Sequence, residues 1–378
     1  MKITDDDKLK KELEVLRGTP LEDLELSQDS WKEQSDADQL CKKPVVSVHM
    51  VTYNHEAFIR QAIESVMMQE CNFEYELVIG EDCSTDKTRN ICFEYQKKYP
   101  DKIRVLYADE NSFKKHQSQL INVNRVNTCC RGEFLAWLEG DDYWTDPRKL
   151  QKQVDIMRKY PEVFYIYTGC KIDFYKDGKI IEEDLTTLPS GIVPRERFWD
   201  ELQNRTIKHL FTPTLLWRRK PYMENLRKFE IRNWSLRSAD ITLHYIMSMI
   251  GDAYFLPQNT ACYRINPTSL TNTQGEEAHI DNLIIGMYFH SLRTGILPHK
   301  HKLLDRLYRT RLQKAAKSKL WKTVFLNRYF LKYWLNPVMW NYLILVILCP
   351  LMQDRIYGIV REGWGRWLLR QYARRIKP

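Results

Sequence analysis

Short runs of β-branched residues alternate with helical periodicity after Pro44, and this alternation constrains the fold more than any other feature of the chain. The strand-like and helix-like runs are, in order, Val45–Val51, Ala57–Gln69, Leu77–Gly80, Asp86–Tyr99 and Ile103–Tyr107. The apolar residues of the first helix share one face: Ile59, Ala62, Ile63 and Val66. Alternating strands and helices are typical of a parallel sheet covered by helices, so we predict an α/β fold.

A fourth strand, Phe134–Leu138, runs directly into three acidic residues. Pro147 then opens a helix that extends to Lys159, and Val163–Thr168 is the next predicted strand. Ligands of open α/β sheets bind at the carboxyl ends of the strands, because the loops there converge on one crevice. The acids at this strand end are therefore candidates for a ligand-binding site.

The following residues, 171–272, are less regular. We predict a hairpin around Lys176–Gly178, a strand at Leu210–Arg218 and a helix at Ala239–Ile250. These elements indicate a second half of the domain that continues the same sheet. No glycine-rich phosphate loop occurs in the sequence, so a bound phosphate would be held by other means.

The loops after the first two strands carry residues suited to a nucleobase. Thr52, Tyr53 and Asn54 follow one strand, and Glu81 and Asp82 follow the next. An aromatic ring can stack on a base, and a carboxylate can accept an N–H group of a pyrimidine ring. The alternative for either loop alone is that its polar residues only form turns or cap helices.

The loop after the fourth strand contains Glu139, Asp141 and Asp142, whose mutual repulsion would be unfavourable without a cation. Carboxylate oxygens are ligands for Mg²⁺ or Mn²⁺. Such an ion would neutralise the charge on a departing nucleoside diphosphate. The alternative is a solvated acidic turn that precedes the helix at Pro147.

The segment from Val45 to Glu162 resembles the family 2 glycosyltransferases of capsule, O-antigen and other envelope glycan synthesis, which have a GT-A fold. The resemblance is carried by Val-Ser-Val-His-Met-Val-Thr-Tyr-Asn-His-Glu, Ile-Gly-Glu-Asp-Cys-Ser-Thr-Asp and Glu-Gly-Asp-Asp-Tyr-Trp-Thr-Asp-Pro, the last matching the family's DXD region. Two departures are Cys83 in place of the usual glycine and Glu139 in place of the first Asp of many members. The resemblance implies that Asp82 binds the base, that Asp141 binds the ribose or the metal, and that Asp142 binds the metal.

The resemblance also implies a general base and a loop near the donor phosphates. The family places an Asp at the start of a helix in the second half, and Asp240 in Arg-Ser-Ala-Asp-Ile-Thr-Leu matches that context. Such a base would deprotonate the acceptor hydroxyl in an inverting transfer. The alternative is that Asp240 only caps its helix. Arg264 matches the family's Tyr-Arg loop, although Asn266 stands where relatives often have His.

Composition and periodicity divide the chain into three parts. We predict a polar lead at 1–43, a GT-A catalytic domain at 44–272 and a helical C-terminal region at 273–378. Within the domain, 44–168 would bind the nucleotide and 169–272 would face the acceptor. The expected reaction is transfer of a sugar from a nucleotide-diphosphate donor, UDP-linked, to an acceptor hydroxyl. The alternatives are a nucleotidyltransferase acting on a sugar phosphate and a catalytically silent scaffold.

Charge and cysteine usage bear on location. Residues 300–378 hold 18 Lys and Arg against three acids, within a chain of net charge +9, and they include several Trp and Tyr. This composition favours contact with an anionic membrane surface over a packed helical region or nucleic acid. Tyr333–Gln353 is uncharged but interrupted by Asn and Pro, so we expect a shallow anchor or a packed hairpin rather than a span. Nine cysteines without a Cys-x-x-Cys pair, and a polar start without a signal peptide, indicate the cytoplasmic face of the membrane; oligomeric state stays open.

Overall fold

A mixed β-sheet flanked by helices forms the centre of the domain. The computed structural model describes residues 31–112, 120–204, 210–228 and 239–265, all of which lie in one compact unit at 19–293. The strands in these ranges are β1 (Trp31–Gln34), β2 (Val46–Thr52), β3 (Tyr75–Glu81), β4 (Ile103–Ala108), β5 (Phe134–Trp137), β6 (Tyr143–Trp144), β7 (Val163–Phe174), β8 (Lys179–Ile181), β9 (Gly191–Val193), β10 (Leu216–Arg218) and β11 (Asp252–Ile265). The helices are α1 (Ile59–Met67), α2 (Thr88–Lys98), α3 (Leu120–Cys129), α4 (Lys149–Lys159), α5 (Arg195–Asn204), α6 (Arg219–Lys228) and α7 (Ala239–Ile250), with a 3₁₀ turn at Thr212–Thr214.

The sheet has the order β1-β4-β3-β2-β5-β10-β7-β11-β6, with β8 paired to β7 and β9 to β11. Strands β4, β3, β2 and β5 are mutually parallel, and β7 is parallel to β11. The other pairs are antiparallel. The predicted α/β class is confirmed, and the sheet is parallel mainly in the half formed by β2, β3, β4 and β5.

The core explains why the first half of the sequence predicts its structure well. Every residue of β3 is buried, as expected for a strand covered on both faces. The predicted apolar face of α1 is buried against Val46, Val48 and Met50 of β2. The predicted strands and helices up to residue 168 are present with small shifts at their ends, although β7 continues to Phe174. Helix α7 and the β7–β8 hairpin are also confirmed.

Two predictions for the second half were wrong or incomplete. The predicted strand at Leu210–Arg218 is a 3₁₀ turn followed by the short strand β10. Pro213 explains the difference, because it has no N–H for a strand ladder and its φ angle is fixed. Strand β11 was not predicted, since Pro257, Gln258 and Asn259 interrupt its pattern; the β11–β7 register shifts in the same place.

The end of the polar lead joins the sheet. Strand β1 pairs antiparallel with β4 at the sheet edge. The Glu33 carboxylate accepts hydrogen bonds from Arg104 at 2.8 and 3.0 Å, and Arg104 also contacts the buried Glu76. Residues 31–34 therefore belong to the half of the sheet that contains β4.

The C-terminal predictions lie outside the described residues. The region 273–378 and its uncharged segment Tyr333–Gln353 are among them. Within the described ranges, no helix has both the length and the apolar character needed to cross a membrane. The eight cysteines in these ranges are all free thiols.

Candidate active site

The loops after β2 and β3 are joined by hydrogen bonds between backbone and side chains. The Asn54 N–H donates to Ser84 Oγ at 3.0 Å, and Asn54 Oδ1 accepts from the Thr85 N–H at 2.8 Å. The His55 N–H donates to Thr88 Oγ1 at 2.8 Å. The two predicted nucleotide loops therefore form one connected surface at the carboxyl ends of neighbouring parallel strands.

Both loops contain a residue in the left-handed backbone region. Asn54 has a φ of 55° and Cys83 a φ of 60°. Asn tolerates this conformation, whereas a cysteine there is strained relative to glycine. The Cys83 thiol donates to the Asp109 carbonyl at 3.2 Å.

Asp82 is the predicted base-binding residue, and it is held in place at the end of β3. Its side chain is 5% exposed. Asp82 Oδ1 accepts from the N–H of Ser112 at 2.9 Å and from its hydroxyl. The buried guanidinium of Arg125 lies nearby. Burial lowers the pKa of Arg125, and the negative charge of Asp82 opposes that effect. Neither Ser112 nor Arg125 has a sequence signal that would reveal these contacts.

Glu81, in contrast, makes its contacts with other residues of the protein. Its carboxylate is fully buried and forms an ion pair with Arg89. Its second oxygen accepts from the Ser84 N–H at 2.6 Å. Glu81 therefore orders the loop that carries Asp82, and a direct contact with a nucleotide is not needed to explain its presence.

The acidic loop follows β5 and approaches the loop after β2. A β-carbon built at Gly140 would lie 2.6 Å from Thr52 Oγ1 and 2.9 Å from His55 Nδ1, so only glycine fits there. His55 Nε2 lies 3.8 Å from Asp141 Oδ2. The structure thus brings the predicted residues Thr52 and Asp141 together and adds His55, which the sequence analysis did not select.

Two carboxylates of the acidic loop have buried oxygens. Asp142 is 1% exposed; its Oδ1 accepts the Arg264 N–H at 2.7 Å, and its Oδ2 has no hydrogen-bond partner in the described part of the chain. Glu139 keeps some exposed surface, but its Oε2 is also buried without a partner among the described residues. Unpaired buried carboxylate oxygens are unfavourable, and a bound cation would satisfy them.

The acids of this loop raise one another's pKa. Burial raises the pKa of Asp142 well above its usual value, and the charges of Asp141 and Glu139 add to the effect. The pKa of Glu139 is raised to about 8, mainly by burial and also by the charges of Asp141 and Asp240, while Thr212 opposes the increase. A bound cation would remove the repulsion that produces part of these shifts.

Asp240 lies in the first turn of α7, as predicted. It is near enough to Glu139 to influence its pKa, so the candidate base and the acidic loop belong to the same region. On the next turn of the helix, His244 Nδ1 is 2.6 Å from the buried Tyr165 hydroxyl. Burial lowers the pKa of His244 to about 3, which leaves its ring neutral.

Arg264 supports the acidic loop from β11. Its guanidinium donates to the Asp141 carbonyl, to Gln61 Oε1 at 2.6 Å and to Asp173 Oδ2 at 3.3 Å. Its side chain is 4% exposed and lies 4.8 Å from the centre of the Phe58 ring. In this structure Arg264 acts as an internal brace for the acidic loop, and its predicted place near the donor phosphates stays a prediction.

The donor set fits a hard divalent cation in part. Among the described residues, no three His, Cys, Asp or Glu side chains form a group that could enclose a metal ion. Asp141 and Asp142 nevertheless offer oxygen ligands, and Mg²⁺ is often held by one or two carboxylates with the remaining positions filled by substrate phosphates and water. Asp141 is the more accessible of the two, with 15% of its side chain exposed.

An α/β sheet with joined polar loops and clustered carboxylates at one edge is the architecture of an enzyme whose active site lies at that edge. Residues 47–224 match the family model described as glycosyl transferase family 2. The match covers just under half of the chain, and over these residues it confirms the family and the enzyme class predicted from the sequence.

Related proteins match the chain over part of their length. The chain is 32% identical to an uncharacterised protein of Mycobacterium tuberculosis over 58% of each chain. It is 36% identical to the putative teichuronic acid biosynthesis glycosyltransferase TuaG of Bacillus subtilis over 37% of this chain and 52% of TuaG. The chain thus spans between half and two thirds of the length of these relatives.

Among solved structures, TarS of S. aureus in complex with UDP is similar at 19% identity, with a TM-score of 0.46 and 64% of each chain covered. This likeness is too distant to carry the fold assignment, which rests on the sheet order and the family match.

Proposed function

We propose that this chain is an inverting glycosyltransferase that moves a sugar from a UDP-linked donor to an acceptor hydroxyl. The observation that carries the proposal is the acidic loop of Glu139, Asp141 and Asp142 at the carboxyl end of β5. Two of its carboxylates have buried oxygens without partners among the described residues. Such a cluster suits a site that is completed by a cation and a diphosphate.

The nucleotide would bind across the loops after β2 and β3. Asp82, oriented by Ser112, would accept an N–H of the base, and the half-buried Tyr53 would stack on it. Thr52 and Asn54 would shape the floor of the site, while Glu81 would order the loop from inside. These roles agree with the exposure and contacts of each side chain.

Asp141 and Asp142 would hold Mn²⁺ or Mg²⁺, which would supply charge neutralisation for the departing diphosphate. Both can be direct ligands, because Asp142 Oδ2 has no hydrogen-bond partner in the described part of the chain and Asp141 keeps part of its side chain exposed. Arg264 fixes the loop through the Asp141 carbonyl and through its own backbone N–H to Asp142. The protein thereby orients both carboxylates before a donor binds.

Asp240 would act as the general base. The acceptor oxygen attacks the anomeric carbon, the bond from that carbon to the diphosphate oxygen breaks, and the hydroxyl proton passes to the Asp240 carboxylate. Attack from the face opposite the diphosphate inverts the anomeric configuration. The position of Asp240 beside the acidic loop supports this role, because its charge acts on Glu139.

We further propose an envelope glycan or a lipid-linked saccharide as the acceptor, reached at the cytoplasmic face of the membrane. The relative TuaG is described as a putative teichuronic acid biosynthesis enzyme. The basic, aromatic composition of residues 300–378 suits peripheral contact with anionic lipid. Sedimentation of the full chain with anionic liposomes at low and high salt tests this point; full-length protein that stays in the supernatant at low salt would contradict it.

A panel of nucleotide sugars tests the reaction. We expect hydrolysis or transfer from a UDP-sugar that depends on Mn²⁺ or Mg²⁺ and is lost on treatment with EDTA. Asp240→Asn should keep donor binding and lose transfer, whereas Asp200→Asn, an exposed carboxylate on α5, should match the wild type. Release of pyrophosphate from a nucleoside triphosphate and a sugar phosphate would instead identify a nucleotidyltransferase. No turnover of any donor would favour a silent scaffold.

A further inference from the structure

Helix α4 carries a buried lysine that the proposed reaction does not use. Lys149 is fully buried, and its Nζ lies 4.5 Å from the centre of the Trp144 ring. Nζ donates to Gln153 Oε1 at 2.7 Å, one helical turn further along. Burial lowers the pKa of Lys149 to about 7, against the attraction of Asp146. Burying a lysine amine costs free energy unless hydrogen bonds or nearby charges offset it.

The lysine determines how the Gln153 amide is oriented. Both the ammonium and the neutral amine of Lys149 can donate an N–H, so Gln153 turns its Oε1 toward Lys149. Gln153 Nε2 is then directed to the Thr214 carbonyl, to which it donates at 2.8 Å. Without Lys149, the amide could rotate and present its oxygen to that carbonyl, which would be repulsive.

The Thr214 carbonyl belongs to the 3₁₀ turn that faces the acidic loop. Trp144 Nε1 donates to the neighbouring Pro213 carbonyl at 2.9 Å. The hydroxyl of Thr212, the first residue of the turn, lies close enough to the Glu139 carboxylate to lower its pKa. A chain of contacts therefore runs from α4 through the turn to the acidic loop.

We infer that Lys149 and Gln153 are positioning residues for the acidic loop. They hold the 3₁₀ turn so that Thr212 keeps Glu139 beside Asp141. The inference rests on the proposed function, because its main consequence is for sugar transfer. It does not depend on the charge state of Lys149.

Lys149→Met separates this role from a merely structural one. Methionine has a similar shape but cannot donate to Gln153 Oε1, so a merely structural role predicts a change in stability with unchanged turnover. The positioning role predicts a fall in kcat on the order of tenfold, with the KM for the donor changed by less than about twofold. Thr212→Val should reduce kcat similarly, and Thr212→Ser, which keeps the hydroxyl, should lose less.

Gln151 provides a matched control on the same helix. It is also a buried amide that accepts a backbone N–H, from Asn72 at 2.8 Å, but its contacts lead away from the acidic loop. Gln151→Met should leave kcat near the wild-type value. Hydrogen exchange should become faster in the peptide spanning 210–218 for Lys149→Met and remain unchanged for Gln151→Met.

A double-mutant cycle decides the inference. If Lys149 acts through Thr212, the variant with both Lys149→Met and Thr212→Val should have the kcat of Thr212→Val alone. Additive losses in log kcat, or a change in KM alone, would overturn the inference. A wild-type enzyme with no transfer would instead reject the proposed function, and unchanged exchange at 210–218 would still refute the positioning role.

Discussion

Glu139→Gln should make the free protein more stable at alkaline pH and leave it almost unchanged at acidic pH. Burial, together with the charges of Asp141 and Asp240, raises the pKa of Glu139 from 4.5 to about 8. The folded protein therefore keeps a proton that the unfolded chain releases in this range. Glu139 contributes its full stability below pH 4.5 and loses it as the pH rises through 8.

The size of the effect follows from that pKa. A change from 4.5 to about 8 corresponds to roughly 5 kcal/mol in the free energy of unfolding. Glu139 shares its protons with neighbouring acids and keeps some contact with solvent, so we expect about half of this, ~2–3 kcal/mol. Glutamine keeps the shape of the side chain and cannot ionise.

Urea denaturation in EDTA at pH 5, 7 and 8.5 measures the difference. Glu133→Gln is a suitable control. Glu133 lies just before β5, the strand that leads into the acidic loop, and 58% of its side chain is exposed. A gain in stability for Glu139→Gln that is the same at all three pH values would refute the reasoning. Mn²⁺ with UDP should stabilise the wild type at pH 8.5 more than the variant.

Further outcomes concern neighbouring residues. Asp142→Ala removes one acid from a repelling cluster, so the protein should keep its fold. It also removes a proposed metal ligand, so calorimetry should show no metal-dependent UDP binding. Asp240→Asn should retain donor affinity and lower the transfer rate by on the order of 10²–10⁴, and loss of both together would point to a helix cap. Cys83→Gly should raise the free energy of unfolding by at most about 1 kcal/mol, measured in urea, since glycine removes strain at φ 60° but gives up the thiol contact with Asp109.

The nucleotide-side half could be predicted from sequence because its signals are local. In β2 and α1 the apolar period alone identifies the buried face, and each strand end places its loop at the same sheet edge. The second half lacks this advantage. Its strand β11 pairs with β7 across an irregular register, and the interruption by Pro257 and Asn259 hides the strand from any periodicity.

The candidate site shows the same division. Thr52, Asp82 and Asp141 were predicted because they follow strands, and their loops do meet. The contacts that orient them come from distant parts of the chain: Ser112 holds Asp82, and Thr212 holds Glu139. A sequence specifies such pairs only through the folded backbone, so no pattern of spacing reveals them.

Arg264 shows why the acidic loop can exist before any ligand arrives. Its backbone N–H donates to one oxygen of Asp142. Its guanidinium donates to Gln61 on α1 and to Asp173 on β7. The loop is thus held from three sides by one permanent cation, and yet Asp142 Oδ2 has no hydrogen-bond partner in the described ranges. Arg264 leaves Asp142 Oδ2 without a partner among the described residues, so the negative charge there is not fully compensated. A second, exchangeable cation can compensate it. Binding of the donor complex and relief of the loop's repulsion would then be one event, which couples the stability of this edge of the sheet to its occupancy.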